Sequence, residues 1–96
     1  MARYHVRLSR EAQSEWDRLA PNPKSNANRY RKRLGSGPYM EESIQLELSG
    51  RSDIWRIEFG DWRTVFRLDE SNREIEIIRV RRRSEAYIGL ERPPRQ

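Results

Sequence analysis

From Ile54 to Leu68 apolar and polar side chains alternate with period two, interrupted once by Gly60-Asp61. That pattern fits two half-buried strands joined by a tight turn, and an amphipathic helix does not reproduce it. Trp55, Ile57 and Phe59 fall on one face of the first strand, with Arg56 and Glu58 on the other. After the turn, Trp62, Thr64, Phe66 and Leu68 form one set, and Arg63, Val65 and Arg67 form the other. A sheet that buries aromatics on one face and raises arginines from the other is suited to phosphate. Arg79, Arg81, Arg82, Arg83 and Tyr87 extend the same chemistry toward the C-terminus. A small cationic sheet with an aromatic beside it points to RNA.

The rest of the composition narrows the options. The 96 residues suit one domain, spanning 1–96, and 34% of them are hydrophobic. Such a lean chain needs its three Trp, four Tyr and two Phe in or near the core. The formal charge is +5, and all the basic residues except Lys24 and Lys32 are arginine. Arginine offers a planar fork of donors that matches phosphate and stacks on bases. Cysteine is absent and His5 is the only histidine, so no disulfide framework, metal site or bound cofactor is expected. No apolar run is long enough to span a membrane or serve as a secretion signal, and a soluble cytoplasmic protein is the default expectation.

Around this sheet the chain reads in order. Arg3 to Leu8 alternates and predicts a first strand. Ser9 is a good N-cap, and Ala12, Trp16, Leu19 and Ala20 have helical spacing up to the stop at Pro21. Asn22-Pro23 predicts the start of a second helix, continued by Ala27, Tyr30 and Leu34 and ended at Gly35-Ser36-Gly37-Pro38. Arg29, Arg31, Lys32 and Arg33 decorate it, as a solvated face or a phosphate-docking edge. Ile44, Leu46 and Leu48 alternate weakly, as in a short strand. Strands at Ile54–Phe59, Trp62–Leu68 and Glu74–Arg81 follow, with turns at Gly60-Asp61 and Asp69–Arg73. From Glu85 a short helical or irregular stretch runs to Pro93-Pro94. The expected fold is an α+β two-layer domain, an N-terminal strand and helix hairpin followed by an antiparallel meander. Its helices cover one sheet face. The other face is expected to be open, carrying Arg56, Glu58, Arg63, Arg67, Arg79 and Arg81.

The string Leu48-Ser49-Gly50, then Trp55-Arg56-Ile57-Glu58-Phe59-Gly60-Asp61-Trp62-Arg63-Thr64-Val65-Phe66, resembles the RelE/ParE toxin superfamily. The ending Ile77-Ile78-Arg79-Val80-Arg81-Arg82-Arg83-Ser84-Glu85-Ala86-Tyr87 is closest to its RelE branch. The resemblance implies a toxin of a type II toxin–antitoxin system, neutralised by a small acidic antitoxin. RelE-type members are metal-independent endoribonucleases that cut mRNA on the ribosome, the ribose 2′-OH attacking the adjacent phosphate. By the same resemblance Arg56, Arg63, Arg81 and Tyr87 match the catalytic positions; Arg67, Arg79, Arg82 and Arg83 are expected to add RNA contacts from their charge and placement alone. Many RelE-type enzymes carry lysine where this chain has Arg56 and Glu58. The general base is therefore Glu58, or Glu42 at the position of a catalytic glutamate in the YoeB branch, or absent; Glu58 is equally suited to pair with Arg56 or Arg63. ParE-type relatives share the fold and poison DNA gyrase, which is the alternative function, beside a non-catalytic RNA- or antitoxin-binding module.

Overall fold

The computed structural model describes residues 3–46 and 52–90. The motif residues Leu48, Ser49 and Gly50, and Pro93-Pro94, lie outside the described residues. The elements run β1 (His5–Leu8), α1 (Arg10–Asp17), α2 (Pro21–Ser36), β2 (Ser43–Gln45), β3 (Ile54–Phe59), β4 (Trp62–Asp69) and β5 (Glu74–Arg82). They form a sheet of order β1-β5-β4-β3-β2 with two helices against it. The α+β architecture is the one expected. β1 adds a parallel neighbour to β5, so the sheet is mixed rather than wholly antiparallel.

Local chemistry sets the boundaries. The Ser9 hydroxyl accepts from the Ala12 amide and caps α1, whose buried residues Ala12 and Trp16 face the sheet. The second helix starts earlier than Asn22-Pro23 suggests: Ala20 is its N-cap and Pro21 enters the first turn. Proline lacks only an amide hydrogen that the first turn leaves unpaired anyway, so Pro21 opens α2, while α1 has already ended at Asp17 with Arg18 as its C-cap rather than running on to Pro21. Gly37 closes α2 at φ 156°. Gly60, at φ 60°, makes the β3–β4 hairpin turn, where a left-handed conformation favours glycine.

The core lies between the helices and the sheet. Ala12, Trp16, Leu19, Ala27, Tyr30 and Leu34 of the helical layer meet Ile57, Phe59, Phe66, Leu68, Ile75, Ile77 and Val80. Trp16 and Trp55 border the same core, but with different neighbours. Arg31 lies over the Trp16 ring, while Tyr39 meets Trp55 edge-on at 5.5 Å. Phe66 is fully buried at the centre of this face.

The second face is not open throughout. Val65 belongs to the arginine set by alternation, yet it is fully buried, as are Ala86 and almost all of Ile54. The chain after β5 folds back over this face, held where Arg79 Nη1 donates to the carbonyls of Ala86 (3.1 Å) and Ile88 (2.6 Å). Alternation reports which side a residue faces. It carries no signal for a later segment that covers it.

A tyrosine–carboxylate cluster ties the β4–β5 turn to the rest. The Tyr4 hydroxyl donates to Glu70 Oε2 at 2.7 Å and the Tyr39 hydroxyl to Oε1 at 2.8 Å. Arg73, in the left-handed region at φ 54°, lies over the Tyr4 ring. The bonds from Tyr4 and then Tyr39 hold the Glu70 carboxyl below its ordinary pKa, and the bond to Glu70 pushes both phenols up. A depressed carboxylate stabilises the fold above its unfolded pKa, about 4.3, and loses that contribution as pH falls through the folded value. Raised phenols contribute below about pH 10 and lose it as pH rises through their folded values. The cluster therefore stabilises between these limits. In thermal melts, the wild type should exceed a Tyr4→Phe/Tyr39→Phe variant at pH 7, and the gap should close toward pH 3. A gap of constant size from pH 7 to pH 3 would contradict the assignment.

Candidate functional site: the arginine face

Three rows cross the sheet on the side away from the helices. In the first, Arg7 of β1, Glu76 of β5 and Arg67 of β4 are neighbours in register. Glu76 bridges them, at 3.4 Å from Arg7 and 3.1 Å from Arg67. In the second, Arg56, Val65 and Arg79 line up across β3, β4 and β5. In the third, Glu58, Arg63 and Arg81 do the same. An irregularity in the β4–β5 pairing at Val65/Phe66 separates the first row from the other two. Without such a shift, the alternation that faces Phe66 and Ile77 to the core could not also pair Arg79 with Val65 and Arg81 with Arg63.

The structure brings Arg56, Glu58, Arg63, Arg81 and Tyr87 onto neighbouring positions, but it uses them differently. Arg56 Nη2 lies 2.7 Å from Glu58 Oε2, and the Arg56 guanidinium sits 5.7 Å from the Tyr87 ring centroid. Arg56 Nε and the Tyr87 hydroxyl are both shielded from solvent with no hydrogen-bond partner among the described residues. Buried polar groups in this state are rare and costly.

Arg63 is committed to the fold. It is only 7% exposed, and its Nη1 donates to the carbonyls of Gly60 (3.1 Å) and Trp62 (2.7 Å). Its Nε approaches Glu58 at 3.7 Å. The guanidinium thus braces the hairpin turn from beneath. Arg81 is held by Glu15, a residue that the sequence reading left out. β1 accompanies β5 only as far as Ile77, so the next part of β5 lacks a strand on that side. Glu15 of α1 takes the place of a strand there. Its Oε1 accepts from the Val80 amide at 2.9 Å, and its Oε2 from Arg81 Nε at 2.6 Å. Arg81 also lines a shallow groove of about 430 Å³ with Arg18, Trp62, Arg82 and Glu85, which leaves part of its guanidinium accessible. Helical spacing marks Glu15 only as an exposed position of α1, so the partnership had no sequence signal.

The remaining arginines divide. Arg79 anchors the C-terminal segment, and burial, then Arg81 nearby, pushes its pKa down. Arg67 is tied to Glu76 at one end of the sheet. Arg82 and Arg83 gather at the other end on Asp61, at 3.3 and 3.8 Å. Arg82 also lies over the Trp62 ring. Glu42, the second candidate base, is not brought to this face: it pairs with Arg33 of α2 at 3.5 Å. Among the described residues no cluster of His, Cys, Asp and Glu could hold a metal ion, and no helix is long and apolar enough to cross a membrane.

Residues 6–87 match the family model of the ParE toxin of type II toxin–antitoxin systems. The chain belongs to that family, within the RelE/ParE superfamily, and is therefore a type II toxin. Solved structures share its fold. A chain of the archaeal RelE–RelB complex from Pyrococcus horikoshii is similar at 23% identity and TM-score 0.73, covering 86% of this chain and 98% of that one. A chain of the RelBE2 toxin–antitoxin complex from Mycobacterium tuberculosis aligns at 20% identity and TM-score 0.73, covering 85% and 100%. The YoeB/ParE toxin from Agrobacterium tumefaciens aligns at 14% identity and TM-score 0.70, covering 81% and 96%. No curated protein matches the chain.

Arg63 and Arg56 should separate in a stability measurement. Hydrogen bonds to a charged group contribute roughly 1.5–3 kcal/mol each. Arg63→Ala is therefore expected to lower the melting temperature by at least about 6 °C, since about 1 kcal/mol moves a domain of this size by roughly 4–8 °C. Arg56→Ala should change it by less than about 4 °C, because Arg56 braces no turn. Equal losses in the two variants would contradict the division.

Proposed function

We propose that the arginine face is the active site of a metal-independent endoribonuclease that cuts mRNA, and that translating ribosomes present the substrate. The observation that carries this reading is the pair of unmatched donors, Arg56 Nε and the Tyr87 hydroxyl, stacked together beside Glu58. A small shift of the segment that carries Tyr87 would turn both donors toward the oxygens of a ribose-phosphate. The structural neighbours include several RelE toxins, which supports the same reading.

In this reading Arg56 and Arg81 flank the scissile phosphate and stabilise the charge that builds on its oxygens in the transition state. Glu58 accepts the proton of the 2′-OH as that oxygen attacks phosphorus. The P–O5′ bond breaks, leaving a 2′,3′-cyclic phosphate and a 5′-hydroxyl that takes its proton from solvent. Arginine stays protonated, so Arg56 and Arg81 act by charge and not as the base. Tyr87 stacks on a base and fixes the in-line geometry. Arg63 keeps the hairpin in place for this site, and Arg67, Arg79, Arg82 and Arg83 contribute positive potential from its borders.

An antitoxin partner follows from the toxin family and from neighbours solved as RelE–RelB complexes. An acidic, partly helical segment covering the arginine face fits its chemistry, in the cytoplasm where mRNA is translated. The ParE family match favours one competing activity, inhibition of DNA gyrase.

Primer extension on a reporter mRNA in a translating extract, beside a gyrase supercoiling assay, separates the two. The wild type should cut mRNA and leave supercoiling unchanged. Arg81→Ala should lower cleavage about a hundred- to a thousand-fold, the usual cost of one such donor. Glu58→Gln should lower it about a hundredfold or more and remove the acid limb of the pH profile. Inhibited gyrase with intact mRNA would overturn the proposal, and full cleavage by both variants would overturn the site.

A further inference from the structure

The positive excess of this chain is segregated in one helix. Of the 20 basic residues, α2 holds five, Lys24, Arg29, Arg31, Lys32 and Arg33; of the 15 acidic residues it holds none. The formal charge of +5 thus equals the charge of α2, and the rest of the chain is balanced. The buried residues of α2 are Ala27, Tyr30 and Leu34. At about 100° per residue, the basic side chains spread over an arc of about 200° around the helix, with Arg31 beside that stripe and Lys32 opposite it. Local contacts hold several of them flat. Arg29 and Arg33 lie over the Tyr30 ring at 5.4 and 5.6 Å, and Arg31 over the Trp16 ring at 5.4 Å. Stacking on a ring orders a guanidinium and leaves its charge in place. Arg33 also has Glu42 at 3.5 Å, whereas Lys24 and Lys32 have no acidic partner among the described residues. On the sheet face, by contrast, Arg7, Arg56, Arg63, Arg67 and Arg81 each have a carboxylate within 4 Å.

We propose that α2 is a docking surface for the phosphate backbone of RNA, separate from the arginine face. The choice of RNA as the polyanion rests on the ribonuclease reading; the electrostatics do not. Three carboxylates, Glu15, Glu58 and Glu76, serve the six arginines of that face and offset about half of their charge. α2 has no acidic residue of its own, so it is a second, separate source of long-range attraction to a polyanion. The two surfaces belong to opposite layers of a molecule whose shortest extent is 25 Å. α2 therefore grips RNA beyond the nucleotides at the cleavage face and adds its own share to the affinity.

The test is binding of a labelled single-stranded 2′-O-methyl oligonucleotide, which lacks the attacking hydroxyl and cannot be cut, read by fluorescence anisotropy across a salt series. Each phosphate contact to a single strand contributes about 0.7 to the slope of log affinity against log salt. Lys24→Gln/Arg29→Gln/Lys32→Gln should lower that slope by about two units and weaken binding at least tenfold at low salt. Glutamine retains helix propensity, so its melting temperature should match the wild type. Lys24→Arg/Lys32→Arg keeps the charge and should bind like the wild type. An unchanged slope in the triple variant overturns the proposal, as does an equal loss in the charge-keeping variant. A triple variant that loses affinity only for an acidic antitoxin peptide makes α2 a protein dock, and also overturns it. Because the oligonucleotide is uncuttable, a chain that binds through α2 yet cuts no mRNA overturns the ribonuclease reading alone.

Discussion

Each guanidinium raised from a partly covered sheet needs an acceptor, and that requirement organises the molecule. Desolvating an unpaired charge costs several kcal/mol, more than a domain this lean can lose. Glu58 lies between Arg56 and Arg63. Glu76 lies between Arg7 and Arg67, and Glu15 reaches from α1 to Arg81. Where carboxylates run out, backbone carbonyls serve: those of Gly60 and Trp62 take Arg63, and those of Ala86 and Ile88 take Arg79. The last pair also folds the C-terminal segment over Val65, which brings Tyr87 beside Arg56. A structural need for acceptors thus assembles the candidate site.

This division of labour explains why a chain with so many arginines presents so few of them alike. Arg63 and Arg56 stand on adjacent strands of one face, yet one supports a turn and the other leaves a donor unmatched. Position on a face does not decide a role. The number of local acceptors does.

Strand boundaries, faces and hairpin turns were legible in the sequence because period two and Gly60-Asp61 are local signals. β3 spans Ile54–Phe59 as the alternation predicts, and the cross-strand neighbours Glu58 and Arg63 follow from parity, whereas Arg81 joins them only through the irregularity at Val65/Phe66, since strict alternation from Ile75 and Ile77 would turn it to the core. Three further features were not legible. Pro21 starts α2 because proline is as acceptable in a first helical turn as after a last one. The Glu15 contact to Val80 and Arg81 joins residues 65 and 66 positions apart, and depends on where β1 ends. The cover over Val65 depends on a turn-rich segment that has no periodicity of its own. The charge of α2 was plain, but its weight was not, because the partial pairing of the sheet arginines is a tertiary fact.

The central claim is that the face carrying Arg56, Glu58, Arg81 and Tyr87 directs a 2′-oxygen at phosphorus. The most direct measurement replaces one ribose at a mapped cleavage site by 2′-deoxyribose and analyses the RNA ends by mass spectrometry. The account predicts a 2′,3′-cyclic phosphate from the all-ribose RNA and no cut at the deoxy position, with neighbouring sites cut as before. Cleavage that persists at the deoxy position would contradict it.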